Sequence, residues 1–133
     1  MTETTTNEET VPPAPMTLTA ESILASDDTQ MELIDVPEWG GTVWIKGLTG
    51  KDRDAFEASM IKGRGKTARI DSDNTRAKFC ARVMVDEEGE TLFKPGDVEA
   101  LGRKSGRALD RVYEKGMILS GMTDEEVETL EGN

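Results

Sequence analysis

Apolar and polar positions follow two different periods along this chain, and the change from one to the other predicts its architecture. From Met31 to Val36 the apolar sets Met31/Leu33 and Ile34/Val36 alternate, which reads as a strand. Pro37 ends it by withdrawing a backbone donor, and Gly40-Gly41 allow the positive φ of a reversal. Thr42 to Lys46 is the second strand, with Val43 and Ile45 on one face and Trp44 on the other, so a hairpin with a five-residue connection is expected.

Beyond Lys46 the period becomes helical. Thr49 caps a helix, with Asp52 three positions on as an acidic capping-box variant, and Ala55, Phe56, Ser59 and Met60 share one side until Gly63 and Gly65 stop it. Ser72 is the expected cap of a helix over about 73–85, whose stripe is Ala77, Cys80, Ala81 and Met84, flanked by Phe79 and Val83. Asp86 to Gly89 makes a turn, Leu92-Phe93 is a brief apolar segment, and Pro95 opens a short helix carrying Val98 and Leu101. Ser105 caps the longest helix, with Leu109, Val112, Tyr113, Gly116 and Met117 at i, i+3, i+4, i+7 and i+8; Gly121 ends it and Thr123 caps a final acidic turn.

Upstream, Thr19 can cap a short helix with Ala20, Ile23 and Leu24 on its face, while residues 1–16 show no apolar period and end in Val-Pro-Pro-Ala-Pro. Residues 62–71 form a basic, glycine-bearing stretch expected to be a flexible loop. The expectation is therefore α+β and mostly helical. A disordered acidic arm, 1–16, precedes one domain over 17–131, built as an N-terminal β-hairpin followed by about four helices.

Composition narrows what such a domain can do. At 133 residues, with 35% hydrophobic, 32% charged and 5% aromatic, it has a small core and a wide solvated surface. The net charge of −11 is uneven: residues 1–38 carry −9, residues 39–85 carry +5 and residues 86–133 carry −7. A strongly acidic chain repels phosphate backbones at long range, so no nucleic acid is expected as a partner. No apolar run approaches membrane-spanning length and no charged-then-apolar leader opens the chain, so a soluble, cytoplasmic protein with no membrane partner is expected. Met occurs 7 times against 3 Phe, which suits either gap-filling in the core or a binding face that adapts to its partner.

Catalytic chemistry finds little support. Gly63-Arg64-Gly65-Lys66-Thr67 ends like a phosphate-cradling loop, but Met60 stands at the first glycine position and a helix precedes it where a strand is needed. In Asp86-Glu87-Glu88-Gly89-Glu90 the glycine arrives two residues early for a calcium loop. With no His in the chain, a Ser or Cys nucleophile lacks its usual base, and the single Cys80 sits on an apolar stripe. No catalytic residue, metal site or cofactor is expected. Trp44 is expected to pack onto the helices, whereas Trp39 is open between covering the turn and anchoring a partner.

Two segments carry a likeness to a known family. The first is Val36-Pro37-Glu38-Trp39-Gly40-Gly41-Thr42-Val43-Trp44 with Gly47-Leu48-Thr49-Gly50 and the helix start at Asp52–Phe56. The second runs from Val85-Asp86-Glu87-Glu88-Gly89 through Leu92-Phe93, Asp97 to Gly102, Lys104-Ser105 and Leu109-Asp110-Arg111 to Leu119-Ser120-Gly121-Met122-Thr123. Together, over residues 20–131, they resemble the tail assembly chaperones of long-tailed bacteriophages, of the type found in phages of actinobacteria. The resemblance implies a non-enzymatic chaperone in the cytoplasm of the bacterial host. It implies binding to the tape measure protein, which is kept soluble while tail tube protein polymerises around it, and absence from the mature virion. It also implies a longer form of the same protein made by ribosomal frameshifting, and leaves self-association open.

On that reading Trp39, Trp44, Phe56, Met60, Met84, Tyr113 and Met117 are the candidate partner-binding residues, a set expected to include core positions as well. The competing reading is an acidic adaptor or decoy that covers a basic surface of a host or phage protein through residues 1–38 and 86–133.

Overall fold

The computed structural model describes residues 16–122. Strands β1 (Met31–Val36) and β2 (Gly41–Lys46) pair antiparallel along their whole length, with Ile34 opposite Val43 and Glu32 opposite Ile45. The connection is a 3-10 turn, Pro37–Trp39, closed by the Gly40 amide donating to the Pro37 carbonyl at 3.0 Å while Gly40 takes φ +74°. The alternation read from the chain puts Ile34, Val36, Val43 and Ile45 on the face that meets the helices, with Val36 and Ile45 fully buried.

Helix α1 (Ala20–Ala25) starts at Thr19 through a reciprocal pair: Ser22 N donates to Thr19 Oγ1 at 3.1 Å, and Thr19 N donates to Ser22 Oγ at 3.0 Å. None of its residues is buried. Helix α2 (Gly50–Ser59) starts at Thr49, whose hydroxyl accepts from Asp52 N at 3.0 Å. It ends at Ser59, before the glycines expected to stop it.

Those glycines serve a second hairpin. β3 (Ile61–Lys62) pairs with β4 (Arg69–Ile70) across a 3-10 turn at Gly65–Thr67, with Gly63 at φ +84° and Gly65 at φ +55°. The stretch read as a loop over 62–71 is thus a short ladder, and every residue from 61 to 70 is exposed.

Helix α3 (Thr75–Val83) departs from expectation at both ends. Its N-cap is Asn74, in the left-handed region at φ 59°, in place of Ser72. The Asn74 amide makes no cap bond; it donates 3.2 Å to the Val98 carbonyl and fastens α3 to the following helix. At the other end Met84 turns to φ −84°, ψ 121°, and Met84–Val85 becomes β5, the third strand in the order β1-β2-β5. The free edge of β2 offers unpaired backbone groups, and pairing Trp44 with Val85 and Ile45 with Met84 satisfies them, which a last helical turn could not.

A 3-10 turn at Pro95–Asp97 leads into α4 (Val98–Leu101), and α5 (Gly106–Leu119) closes the domain. Ser105 Oγ accepts from Ala108 N at 3.3 Å to start α5, and Gly121 at φ +68° ends it. Four helices after the first hairpin, α2 to α5, give the α+β class expected from the pattern. The N-terminal arm, apart from Met16, and the acidic turn after Thr123 lie outside the described residues.

The core forms where α3 crosses α5 under the three-stranded sheet. Phe79 meets Phe56 edge-on at 5.3 Å between ring centroids and Tyr113 at 5.1 Å. Gly116 lets α5 approach, since a Cβ there would stand 2.8 Å from Phe79 Cε2 and 3.0 Å from Val83 Cγ2. Cys80 is buried on the same seam with Sγ 3.4 Å from the Leu109 carbonyl, and burial pushes its thiol up to about 12. Outside the core, Glu38 to Arg111 and Glu32 to Lys115 clamp β1 and its turn to α5. Leu48 N donates 2.9 Å to Ser120 Oγ, which does the same for the end of β2.

Candidate functional site

The segment between β5 and α4 borders two apolar grooves. Asp86 Oδ1 accepts from Glu88 N at 2.9 Å and Glu90 N at 3.0 Å, so its carboxylate is engaged in shaping the turn. Thr91 bridges to Val85, Leu92 N donates 3.1 Å to the Met84 carbonyl, and Lys94 N donates 2.8 Å to Asp97 Oδ2. These bonds hold residues 91–95 as a strap across the domain, with Phe93 at its centre.

A groove opens on each side of Phe93. One, of about 450 Å³, has an apolar lining of Ala81, Phe93, Pro95 and Val98, with Lys78, Arg82 and Lys94 at its rim and Asp52 also beside it. The other, of about 460 Å³, is walled by Trp39, Leu92, Phe93, Ala100 and Leu101, with Asp97 and Lys104 beside them. Leu92 is 50% exposed and Trp39 37% exposed, enough to offer apolar area to a second chain.

Trp39 is placed by its neighbours. Pro37 sets the 3-10 turn, and Glu38 is gripped by Arg111 through two bonds, Nε to Oε1 at 2.9 Å and Nη2 to Oε2 at 3.1 Å. That hydrogen-bonded pair holds the Glu38 carboxyl below its ordinary value. Lys78, on the rim, donates 3.0 Å to the Ser59 carbonyl and lies 3.4 Å from Asp71 Oδ2. Asp71 is itself lowered, first by the Asp73 backbone N–H and then by Lys78 and Lys62, against the opposing effect of burial.

An apolar lining with three cations at the rim can accept apolar side chains flanked by carboxylates, as an amphipathic helix presents them. Among the described residues no group of three or more His, Cys, Asp or Glu is placed to hold a metal. No helix among them is long and apolar enough to cross a membrane.

The candidate residues separate into four places. Phe56, Met60 and Met84 are at most 1% exposed and lie in the core, so none of them presents a surface to a partner in this form. Trp44 does not pack onto the helices. It lies on the sheet's outer face, half-buried, with Leu33 and Val85 as cross-strand neighbours, because Val43 and Ile45 on either side of it take the inner face. Tyr113 and Met117 line a separate groove on α5, where Arg76 Cζ stands 5.2 Å over the Tyr113 ring. Only Trp39 meets the strap. The strap's own apolar residues, Leu92 and Phe93, were visible as a short apolar run but carried no period to rank them as surface or core.

Residues 21–130 match the phage tail assembly chaperone family. The fold is similar to the solved structure of the bacteriophage HK97 tail assembly chaperone, with a TM-score of 0.53 and 16% sequence identity over 72% of this chain and 92% of that one. At that identity the likeness speaks for the fold. No curated protein matches the chain. The family match takes in both hairpins, the strap and all four helices of the core, and on that extent the chain belongs to the phage tail assembly chaperone family.

Proposed function

We propose that this chain is a non-enzymatic holding chaperone. On this reading it binds the tape measure protein through the paired grooves, keeps it soluble in the host cytoplasm, and hands it over as tail tube protein polymerises. It then stays out of the mature virion. A longer frameshifted form of the chain and self-association belong to the same reading. The single observation that supports it is the apolar surface on either side of Phe93, from Trp39 and Leu92 to Val98, edged by Lys78, Arg82 and Lys94. A long helical client offers apolar stripes flanked by acids, and shallow grooves hold such stripes reversibly. The adaptor or decoy reading needs an acidic contact face, and the cations here point to the opposite sign of partner.

Co-expression with the tape measure protein tests it. The wild-type chain should raise the partner's soluble yield and co-purify with it. Trp39→Ser combined with Leu92→Glu, at two exposed positions, should weaken the complex by roughly thirtyfold or more, the scale of a lost aromatic anchor, while leaving the far-UV circular dichroism unchanged. Undiminished binding by a folded double variant would remove these grooves as the contact site. No complex with the wild-type chain would remove the client.

A further inference from the structure

Helix α1 is fully capped and yet packs on nothing. Its reciprocal Thr19–Ser22 bonds are both made, and none of its residues is buried. Met16, Leu18, Ile23 and Leu24, the last 86% exposed, are four of the ten large apolar side chains exposed among the described residues, gathered within nine positions. Single apolar residues on a surface need no partner, whereas a patch of this density marks a contact. Leu18, before the cap, and Ile23, at the fourth helical position, occupy the two positions of a hydrophobic staple. Ala20, Ile23 and Leu24 share the helical spacing i, i+3, i+4. Glu21, Asp27 and Asp28 stand around them, and residues 16–30 hold no Lys or Arg.

The groove lined by Ala81, Phe93, Pro95 and Val98 has the complementary character. Asp52 is its one acid, against Lys78, Arg82 and Lys94. Lys78 is held by Asp71, but neither Arg82 nor Lys94 makes an ion pair among the described residues, so two cations are open to an incoming carboxylate. A cavity of about 150 Å³ takes one benzene-sized group, so 450 Å³ has room for the Ile23 and Leu24 side chains together.

The chain's own domain does not receive α1, since every residue from Met16 to Asp28 is exposed. Two copies, each laying α1 in the other's groove, satisfy both surfaces at once and close a two-fold dimer with no free end. A six-residue helix on each side is small against the roughly 1,200 Å² of a stable interface, so the exchange is weak and depends on concentration.

We propose that the occupant of this groove in the absence of client is α1 of a second copy, with Ile23 and Leu24 against Phe93 and Val98 and the acids of residues 21–28 beside Arg82 and Lys94. The exchange covers the client groove and the exposed arm together, and a longer amphipathic helix displaces it by offering more apolar turns. This rests on the reading of the groove as a helix-binding site, and its test contains no client, so either can fail alone.

Mixed copies of the full-length chain test it. Ala25→Cys in an isotope-labelled copy should form a disulfide with Thr91→Cys, which lines the groove, at least about tenfold faster than with Ile118→Cys, exposed on α5 outside it. Native Cys80 stays out of the reaction, buried with its thiol at about 12. Equal rates at Thr91 and Ile118 would overturn the proposal. So would a disulfide closing within one molecule of a dilute Ala25→Cys, Thr91→Cys chain, which would give the groove to its own arm. In sedimentation, the dimer dissociation constant should rise at least about tenfold in Ile23→Asp with Leu24→Asp, and equally in Arg82→Glu with Lys94→Glu. An unchanged constant in either variant, or a wild-type chain monomeric up to about 1 mM, would overturn it as well. If client co-purification persists after such a failure, the chaperone reading stands without the exchange.

Discussion

The two hairpins share their turn chemistry and differ in what lies beneath them. Each reverses through a 3-10 turn with glycine at positive φ: Gly40 in the first, Gly63 and Gly65 in the second. The first has six residue pairs and an inner face pressed on α5; the second has two pairs, Ile61 with Ile70 and Lys62 with Arg69, and buries none of its residues. The same reversal therefore yields a foundation in one place and a surface feature in the other. What decides is whether one face of the ladder leaves water, because a two-stranded ribbon alone is marginal.

The largest test sets isoleucine against isoleucine. Ile45→Ala, at a fully buried position, should destabilise the domain by about 2–5 kcal/mol in urea unfolding, through lost burial and the cavity left behind. The buried Cys80 thiol reports the same loss independently. If 3 kcal/mol is removed, its labelling by a thiol reagent should quicken by roughly a hundredfold, because reaction requires α3 and α5 to part. A small effect at Ile45 would mean that the sheet contributes little to the core and that the two hairpins differ only in length.

Next in size is the join between β2 and α5. A Cβ on Gly47 would overlap the backbone carbonyl of Leu119, and no flexible side chain is there to give way. Gly47→Ala should cost about 1–3 kcal/mol by forcing the hairpin off the helix, read as a lower unfolding midpoint. Gly65→Ala in the second hairpin meets no atom and is opposed only by its φ of +55°, a cost of about 1 kcal/mol. Comparing the two separates packing against a neighbour from backbone preference.

Acid should act on both hairpins, with the same sign. Glu38 at the first turn and Asp71 beside β4 are lowered from ordinary values of 4.5 and 3.8, so each adds stability that is fully present above those values. That contribution is lost as pH falls through the depressed values. Glu38→Gln should therefore flatten the fall of melting temperature with pH below about 4.5, and Asp71→Asn should flatten it below about 3.8. An unchanged acid limb in Glu38→Gln would show that the Arg111 clamp adds nothing in solution.

The same contrast explains what could be read from the chain. β1, β2 and the caps at Thr19, Thr49 and Ser105 were legible because each depends on residues within a few positions of one another. The start of α3 was not, since Ser72, Asp73, Asn74 and Thr75 are all capable of capping and the choice is made by a bond from Asn74 to Val98, 24 residues away. β5 escaped for a similar reason: Met84 continues a helical stripe, and only the open edge of β2 makes it a strand. Among the candidate contact residues, periodicity put Phe56, Met60, Met84 and Met117 on apolar stripes but could not say which stripes end inside. The strap's importance comes from what lies on either side of Phe93, which no local pattern reports.

The smallest expected effect closes the comparison. Ile61 is 46% exposed and Ile70 37% exposed, and they stand opposite each other across a two-pair ladder. Ile70→Ala should change stability by no more than about 0.5 kcal/mol, the ordinary range for a surface substitution, against several times that for Ile45→Ala. It should also leave Cys80 labelling at the wild-type rate, because the seam between α3 and α5 does not depend on this ribbon. A loss above about 1 kcal/mol would mean that the ribbon shields apolar surface in solution, making it a second foundation and removing the distinction between the two hairpins.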